Sequence, residues 1–208
     1  MKYFLTFILA SLCYSSTYSQ YEVRGAMGIN FGSTPSLKDY INQVAQDQVL
    51  SSFNSAVIFS GEFDYSVSQS YDLGFELGYL LNSVTFNTFG TYDFSYHVIM
   101  PSFTSYYVIR GDGYNFKFGG GVGLRLVSAD ETQPSSASAI NYTSLGPGFL
   151  LRVAGNTRLT GNVFVYIAGD LRYDLNGKLK GWSASHDNNQ VNLNSFSAGV
   201  NIGITYSF

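Results

Sequence analysis

The chain has 208 residues and a formal net charge of −3, and only 12% of its residues are charged. This acidic balance argues against a nucleic-acid partner, because a nucleic-acid interface needs a basic surface. The 17 Tyr and 17 Phe residues favour strands, and the 22 Gly residues suit tight interiors. No apolar run after residue 15 is long enough for a transmembrane helix.

The N-terminal segment has the pattern of a secretory leader. A positive charge at Lys2 is followed by a short apolar stretch and then by small residues before Gln20. We therefore predict a signal peptide over residues 1–19 and one domain over residues 20–208. The single cysteine, Cys13, follows a leucine rather than a small residue, so we interpret it as part of the leader and not as a lipid attachment site.

After the leader, eight segments alternate apolar residues with small, polar or charged ones. In the clearest of them Leu73 and Phe75 alternate with Asp72, Gly74 and Glu76. An even number of such strands predicts an all-β, eight-stranded antiparallel up-and-down barrel. The predicted strands cover 21–32, 56–67, 71–86, 92–109, 114–127, 141–154, 161–175 and 192–208.

The glycines of these strands share a face with the charges, and this decides which face points inward. Glycine would only weaken a solvated exterior, but it fits where strands crowd around a narrow lumen. A soluble lipocalin-like barrel has the reverse arrangement, with its apolar face inside. We therefore predict a transmembrane barrel whose apolar face meets outer-membrane lipid. The predicted interior charge cluster is Glu22, Arg24, Glu62, Asp64, Asp72, Glu76, Lys117, Arg125, Arg152, Asp170, Arg172 and Asp174.

The cluster has nearly balanced signs, and buried charges must be paired. The lumen of an eight-stranded barrel is just wide enough for side chains to fill. A salt-bridged plug is the first interpretation. A polar channel is the alternative, because the inward glycines leave gaps that water would fill.

The fourth predicted strand departs from the common pattern at Pro101. Proline cannot donate to the ladder, so we predict a bulge there, which leaves the facing of residues 103–109 open. His97 lies opposite the apolar residues of this strand and is interpreted as an interior histidine.

The connections between strands alternate in length. Short ones are predicted near 68–70, 110–113 and 155–159, and the others near 33–55, 87–91, 128–140 and 176–191. Outer-membrane barrels have short periplasmic turns and longer external loops. This alternation predicts that both chain ends lie in the periplasm.

The first long connection contains a helical signal. Thr34 is a suitable N-cap, Pro35 suits the first turn, and Leu37, Tyr40 and Ile41 follow at helical spacing. We predict a short amphipathic helix at the barrel mouth. Two interpretations of this helix are open. Either it gates the barrel mouth or binds a ligand there, or it only packs its apolar stripe against the rim.

The chain resembles the small outer-membrane β-barrel proteins of Gram-negative bacteria, the OmpA-like, OmpW-like and opacity-protein-like group. The resemblance rests on the leader, the glycine-studded strands YDLGFELGYLL and FKFGGGVGLRL, the proline in HVIMPSFTSYY, and the C-terminal strand ending in an aromatic residue. It implies an outer-membrane location and recognition by the barrel-assembly machinery. The residues that match that family's assembly signal are Ile202, Ile204, Tyr206 and Phe208.

Little in the sequence suggests chemistry. His186 and Asp187 lie near two serines, but adjacent residues of one loop are poorly placed to form a triad. Two separated histidines give no zinc spacing, and we predict no metal, cofactor or enzymatic activity. Trp182 is assigned to an interfacial aromatic girdle.

Because barrels of this group serve many roles, the prediction for function is coarse. We expect a non-enzymatic protein with a structural or surface-interaction role through its external loops. A narrow passive channel for small or hydrophobic solutes is the alternative. A lipid-modifying enzyme is the third, less favoured hypothesis.

Overall fold

The computed structural model describes residues 20–44, 55–87, 91–133, 138–182 and 191–208. The predicted leader lies outside this part of the chain, as do His186 and Asp187. Among the described residues no helix is long and apolar enough to cross a membrane. The elements are β1 (Tyr21–Ser33), α1 (Pro35–Val44), β2 (Ser55–Ser68), β3 (Tyr71–Asn87), β4 (Thr91–Gly111), β5 (Tyr114–Thr132), β6 (Ile140–Thr160), β7 (Val163–Asp174) and β8 (Ser195–Ser207).

The strands form a closed barrel in which each strand pairs antiparallel with the next in sequence. The seam joins β1 to β8, from the pair Glu22 and Ser207 to the pair Ser33 and Phe196. The predicted up-and-down barrel is therefore confirmed. The connections after β2, β4 and β6 lie at one end with Gln20 and Phe208, and we call it the turn end. The opposite end is the loop end.

The exterior of the barrel is apolar along most of its height. Leu73, Phe75, Phe118 and Ile202 are 40% to 58% exposed. In every strand these outward positions alternate with buried ones. The apolar face therefore points away from the lumen, which excludes the lipocalin-like arrangement.

The strand ends differ most from the prediction at β5, β6 and β8. The predicted turn at 155–159 is wrong, because β6 runs on to Thr160 and the turn lies at 161–162. Gly161 provides the positive φ of 50° that this tight turn needs. Strand β8 begins only at Ser195, because the residues before it pair with the segment that follows β7.

Strand β4 contains no bulge at Pro101, contrary to the prediction. Its pairing with β5 has the same register on both sides of the proline, from Ile99 with Leu126 to Ser102 with Gly123. The missing N–H removes ladder contacts locally without inserting an extra residue. The alternation therefore continues, with Phe103 on the outer face.

The loop-end half of β4 has aromatic and aliphatic residues on its inner face. Tyr92, Phe94 and Met100 are buried in the lumen. His97 consequently points outward, with its ring centroid 5.8 Å from that of Tyr79. Its interpretation as an interior histidine is wrong, because the residues opposite it are the ones that face the lumen.

Candidate functional site

The barrel lumen is the candidate site, and its turn-end half is lined with charges. The structure places all twelve residues of the predicted charge cluster inside the barrel, each at most 6% exposed. We call these residues the charge network: Glu22, Arg24, Glu62, Asp64, Asp72, Glu76, Lys117, Arg125, Arg152, Asp170, Arg172 and Asp174.

Arg152 is at the centre of the charge network. Its guanidinium lies 2.9 Å from Glu62, 2.5 Å from Glu76 and 2.7 Å from Asp170. Arg172 shares two of these partners, at 2.9 Å from Glu76 and 3.1 Å from Asp170. The two arginines thus hold carboxylates from β2, β3 and β7 together in one hydrogen-bonded cluster.

Arg24 joins the same cluster from β1. It pairs with Glu62, and its guanidinium carbon lies 4.2 Å from the centre of the Tyr166 ring. Arg24 therefore makes a cation–π contact with Tyr166 and an ion pair with Glu62 at the same time.

Lys117 forms a second group nearer the turn end. Its ammonium nitrogen lies 2.6 Å from Glu22, 2.7 Å from Asp64 and 3.0 Å from Asp72. Arg110, which the sequence analysis did not include, donates to Asp72 at 2.6 Å and also binds the β2–β3 turn. Arg110 therefore anchors the neighbouring β2–β3 turn.

Arg125 and Asp174 pair with each other at a higher level of the lumen, and Arg125 also donates to Ser102 at 3.1 Å. Gly148 makes room for this pair, because a Cβ atom at that position would collide with both charged groups. An inward glycine here has a direct packing role, as the coexistence of glycine and charge on one face predicted.

The loop-end half of the lumen is filled by apolar and aromatic side chains. Helix α1 contributes Leu37, Tyr40 and Ile41 from above, so the predicted helix inserts its apolar stripe into the mouth. The connection between β7 and β8 contributes further apolar side chains, and the inner faces of the strands contribute the rest. We call this cluster the apolar cap: Leu37, Tyr40, Ile41, Ala56, Ile58, Leu80, Val84, Tyr92, Phe94, Tyr96, Val98, Met100, Val127, Ala129, Tyr142, Leu179, Trp182, Val191 and Leu193.

Trp182 lies inside the apolar cap, so its assignment to an aromatic girdle is wrong. It is 1% exposed, and its ring centroid lies 4.9 Å from Tyr40, 4.7 Å from Tyr142 and 6.2 Å from Phe94. The turn at Gly181, with φ of 84°, reverses the direction of the side chain that follows. Simple alternation could not predict that reversal.

Glu131 is a buried carboxylate within the apolar cap that the sequence analysis missed. It accepts hydrogen bonds from the hydroxyls of Tyr40 at 2.8 Å, Tyr92 at 2.7 Å and Tyr142 at 3.2 Å. Burial, together with the Glu131 charge, raises the pKa of the Tyr40 hydroxyl. Strand β5 was predicted to end at residue 127, but its period-two pattern continues through Val127, Ala129 and Glu131, and this was the available signal.

Together the two layers close the lumen. Arg125 is 0% and Asp170 is 2% exposed, so solvent does not pass beside either residue. A cavity of about 30 Å³ lies toward the loop end of the lumen, lined in part by Asn30, Tyr96 and Asp174. A cavity of this volume has room for a water molecule or two.

The described ranges contain no group of side chains suited to bind a metal ion. Within them no three His, Cys, Asp or Glu side chains converge in a way that would hold a metal ion. The carboxylates of the charge network are instead neutralised by arginine and lysine.

Three solved structures share this architecture. Neisserial surface protein A superposes with a TM-score of 0.51 at 20% identity, over 93% of this chain and 100% of that chain. Ail of Yersinia pestis, in complex with the heparin analogue sucrose octasulfate, gives 0.52 at 9% identity, over 91% of this chain and 99% of that chain. A major outer membrane protein from Thermus thermophilus gives 0.53 at 14% identity, over 91% of this chain and 98% of that chain.

The fold is that of the outer-membrane β-barrels. No family model matches the chain, and no curated protein matches it. The feature that this chain shares with the three solved structures is thus the architecture.

Proposed function

We propose that this protein is an integral, non-enzymatic barrel of the Gram-negative outer membrane, with a closed lumen and a surface-interaction or structural role at its loop end. Its location is supported by the apolar exterior, which would be exposed to water in any soluble setting. The shared fold with solved outer-membrane barrels supports the same location.

The orientation that we propose has the turn end in the periplasm and the loop end outside the cell. The turns after β2, β4 and β6 are tight, as expected of periplasmic turns. The four residues that match the assembly signal lie on the outer face, 43% to 63% exposed, where the barrel-assembly machinery would contact them: Ile202, Ile204, Tyr206 and Phe208.

The observation that carries the proposal is the closed lumen. A solute would have to separate the ion pairs around Arg152 and then displace the apolar cap. Breaking one partner out of a buried ion pair costs roughly 3–5 kcal/mol, and Arg152 alone contacts three carboxylates. Conduction as the main role is therefore disfavoured, and the loop end is left as the functional surface.

Planar-bilayer recording of the refolded full chain tests this proposal. We expect no discrete openings from the natural chain. The matched variant is Arg125→Ala with Asp174→Ala, which removes one ion pair as a unit and leaves neither charge alone. We expect this variant to stay closed as well, because the apolar cap and the rest of the charge network remain. Regular openings of the natural chain would overturn the closed lumen and favour the passive channel.

The non-enzymatic part of the proposal has its own test. Lipid A from cells that express the chain is expected to have the same mass spectrum as lipid A from cells that do not. A new lipid A species that disappears in a His186→Ala variant would replace this proposal with the lipid-modifying enzyme.

A further inference from the structure

The segment after β7 continues the barrel wall beyond the apolar exterior. Lys180 pairs with Thr143 of β6, its backbone N–H donating to the Thr143 carbonyl at 2.9 Å. On its other side, Lys178 pairs with Asn192. The segment therefore acts as an extra strand at the loop end.

The two lysines point away from the lumen. Leu179, which lies between them, is 5% exposed and packs into the apolar cap, whereas Lys178 and Lys180 are exposed. Because side chains alternate along an extended chain, both ammonium groups are presented on the outer face of the wall.

The height of these lysines matches the upper boundary of the apolar exterior. On β6 the last exposed large apolar side chain is Leu145, and the outward residues beyond it are Thr143 and Asn141. The pairing of Lys180 with Thr143 places Lys178 on the Leu145 side, about two residues nearer the apolar surface. Long lysine side chains at such a boundary extend their ammonium groups to the headgroup level.

Neither lysine has an ion-pair partner within the described ranges, whereas each lysine and arginine of the charge network has at least one. The outward carboxylate of the neighbouring strand, Asp130, accepts a hydrogen bond from Asn141 at 2.9 Å. Two exposed cations on one face, next to an apolar surface, are complementary to an anionic headgroup attached to acyl chains.

We infer that Lys178 and Lys180 bind the phosphate of a lipid headgroup in the membrane leaflet at the loop end. The acyl chains of that lipid would lie against the exposed apolar side chains below, including Leu145 and Phe149. This inference rests on the proposed membrane location and orientation, and it adds a specific ligand class to the loop end.

Native mass spectrometry of the refolded full chain tests the inference with lipid A as the probe. We compare lipid A, which has two phosphates, with its dephosphorylated form. We expect bound lipid A on the natural chain and on Lys178→Arg with Lys180→Arg. For Lys178→Gln with Lys180→Gln we expect a loss of affinity of about thirtyfold. Lys38→Gln, which removes one charge from α1, is the control and should bind lipid A as the natural chain does.

Each other outcome contradicts the inference. Equal binding of lipid A and its dephosphorylated form, or equal binding by the glutamine double variant, would show that the lysines do not recognise phosphate. Displacement of lipid A by an equal concentration of inorganic phosphate would assign the site to a free anion. The heat-dependent gel mobility of each variant shows independently that the barrel has folded. Fractionation of the membranes of expressing cells shows whether the chain is in the outer membrane, so a failure of the proposed location is recognised separately.

Discussion

The two halves of the lumen are filled by different parts of the chain: strands fill the turn-end half, and connections help to fill the loop-end half. In the turn-end half the strands themselves supply every charge, so the plug belongs to the barrel wall. In the loop-end half, connections supply Leu37, Tyr40, Leu179 and Trp182 as inserted groups. The charge network is part of the barrel wall itself, whereas the apolar cap consists partly of segments outside the paired strands.

The largest expected effect is in the charge network. Arg152→Ala leaves Glu62, Glu76 and Asp170 with fewer cations in a buried site, and we expect a loss of about 3–5 kcal/mol in the free energy of unfolding. Urea unfolding in lipid vesicles measures it. The control is Arg110→Ala, whose side chain is 25% exposed, and a loss of about 1 kcal/mol is expected there. Similar losses for the two variants would contradict the central position of Arg152.

In the apolar cap, the largest effect is expected at Trp182. Trp182→Ala removes contacts with Tyr40, Phe94 and Tyr142, and we expect a loss of about 3 kcal/mol. Trp182→Phe keeps an aromatic ring in the same space and is expected to cost about half as much. An unchanged unfolding curve for Trp182→Ala would show that the cap adds nothing to stability.

Alanine substitution of two glycines, Gly148 on the inner face and Gly169 on the outer face, compares how tightly the two faces of the barrel wall are packed. Gly148→Ala places a methyl group against Arg125 and Asp174, and overpacking of this kind costs about 1–3 kcal/mol. Gly169 is exposed, and a Cβ atom there meets nothing within 4 Å. Gly169→Ala is therefore expected to stabilise the barrel by about 0.4–1 kcal/mol. If both variants unfold at the same urea concentration, the packing role of Gly148 is refuted.

A smaller effect than that of Trp182→Ala is expected where α1 meets the cap. Tyr40→Phe removes one hydrogen bond to Glu131, with an expected cost of about 1.5 kcal/mol. Because Trp182 is the single tryptophan of the chain, acrylamide quenching of its fluorescence reports on this contact, and we expect greater quenching in the variant. Tyr79→Phe, on the outer wall, is the control and should leave quenching unchanged. No difference between the two would mean that Tyr40 does not hold the helix in place.

The sequence predicted the barrel and the facing of most strands because period-two alternation records which face is buried. The prediction of strand facing was wrong in β4, where the lumen itself is apolar. In β4 the rule that apolar residues face lipid assigns Tyr92 and Phe94 to the wrong side, since α1 and Trp182 turn the upper lumen into a hydrophobic core. The available signal was the polar character of the opposite positions, Asp93 and Ser95, which no lipid-facing stretch would have.

The pairings within the charge network were beyond the reach of the sequence. Alternation identifies Arg152 and Glu76 as inward, but their contact depends on the relative stagger of β3 and β6, which lie on different sides of the barrel. Glu131 was missed for a simpler reason, since the end of β5 was set too early. Trp182 was missed because a positive-φ glycine breaks the alternation just before it.

The separation in sequence between paired charges has a consequence for how the chain folds. Arg172 and Glu76 are 96 residues apart, and Lys117 and Glu22 are 95 apart. Contacts this distant form late and slow folding, because the chain must be ordered over a long stretch before they yield any stabilisation. Charge neutralisation and seam formation between β1 and β8 are therefore expected to occur together, as one concerted final step of membrane insertion.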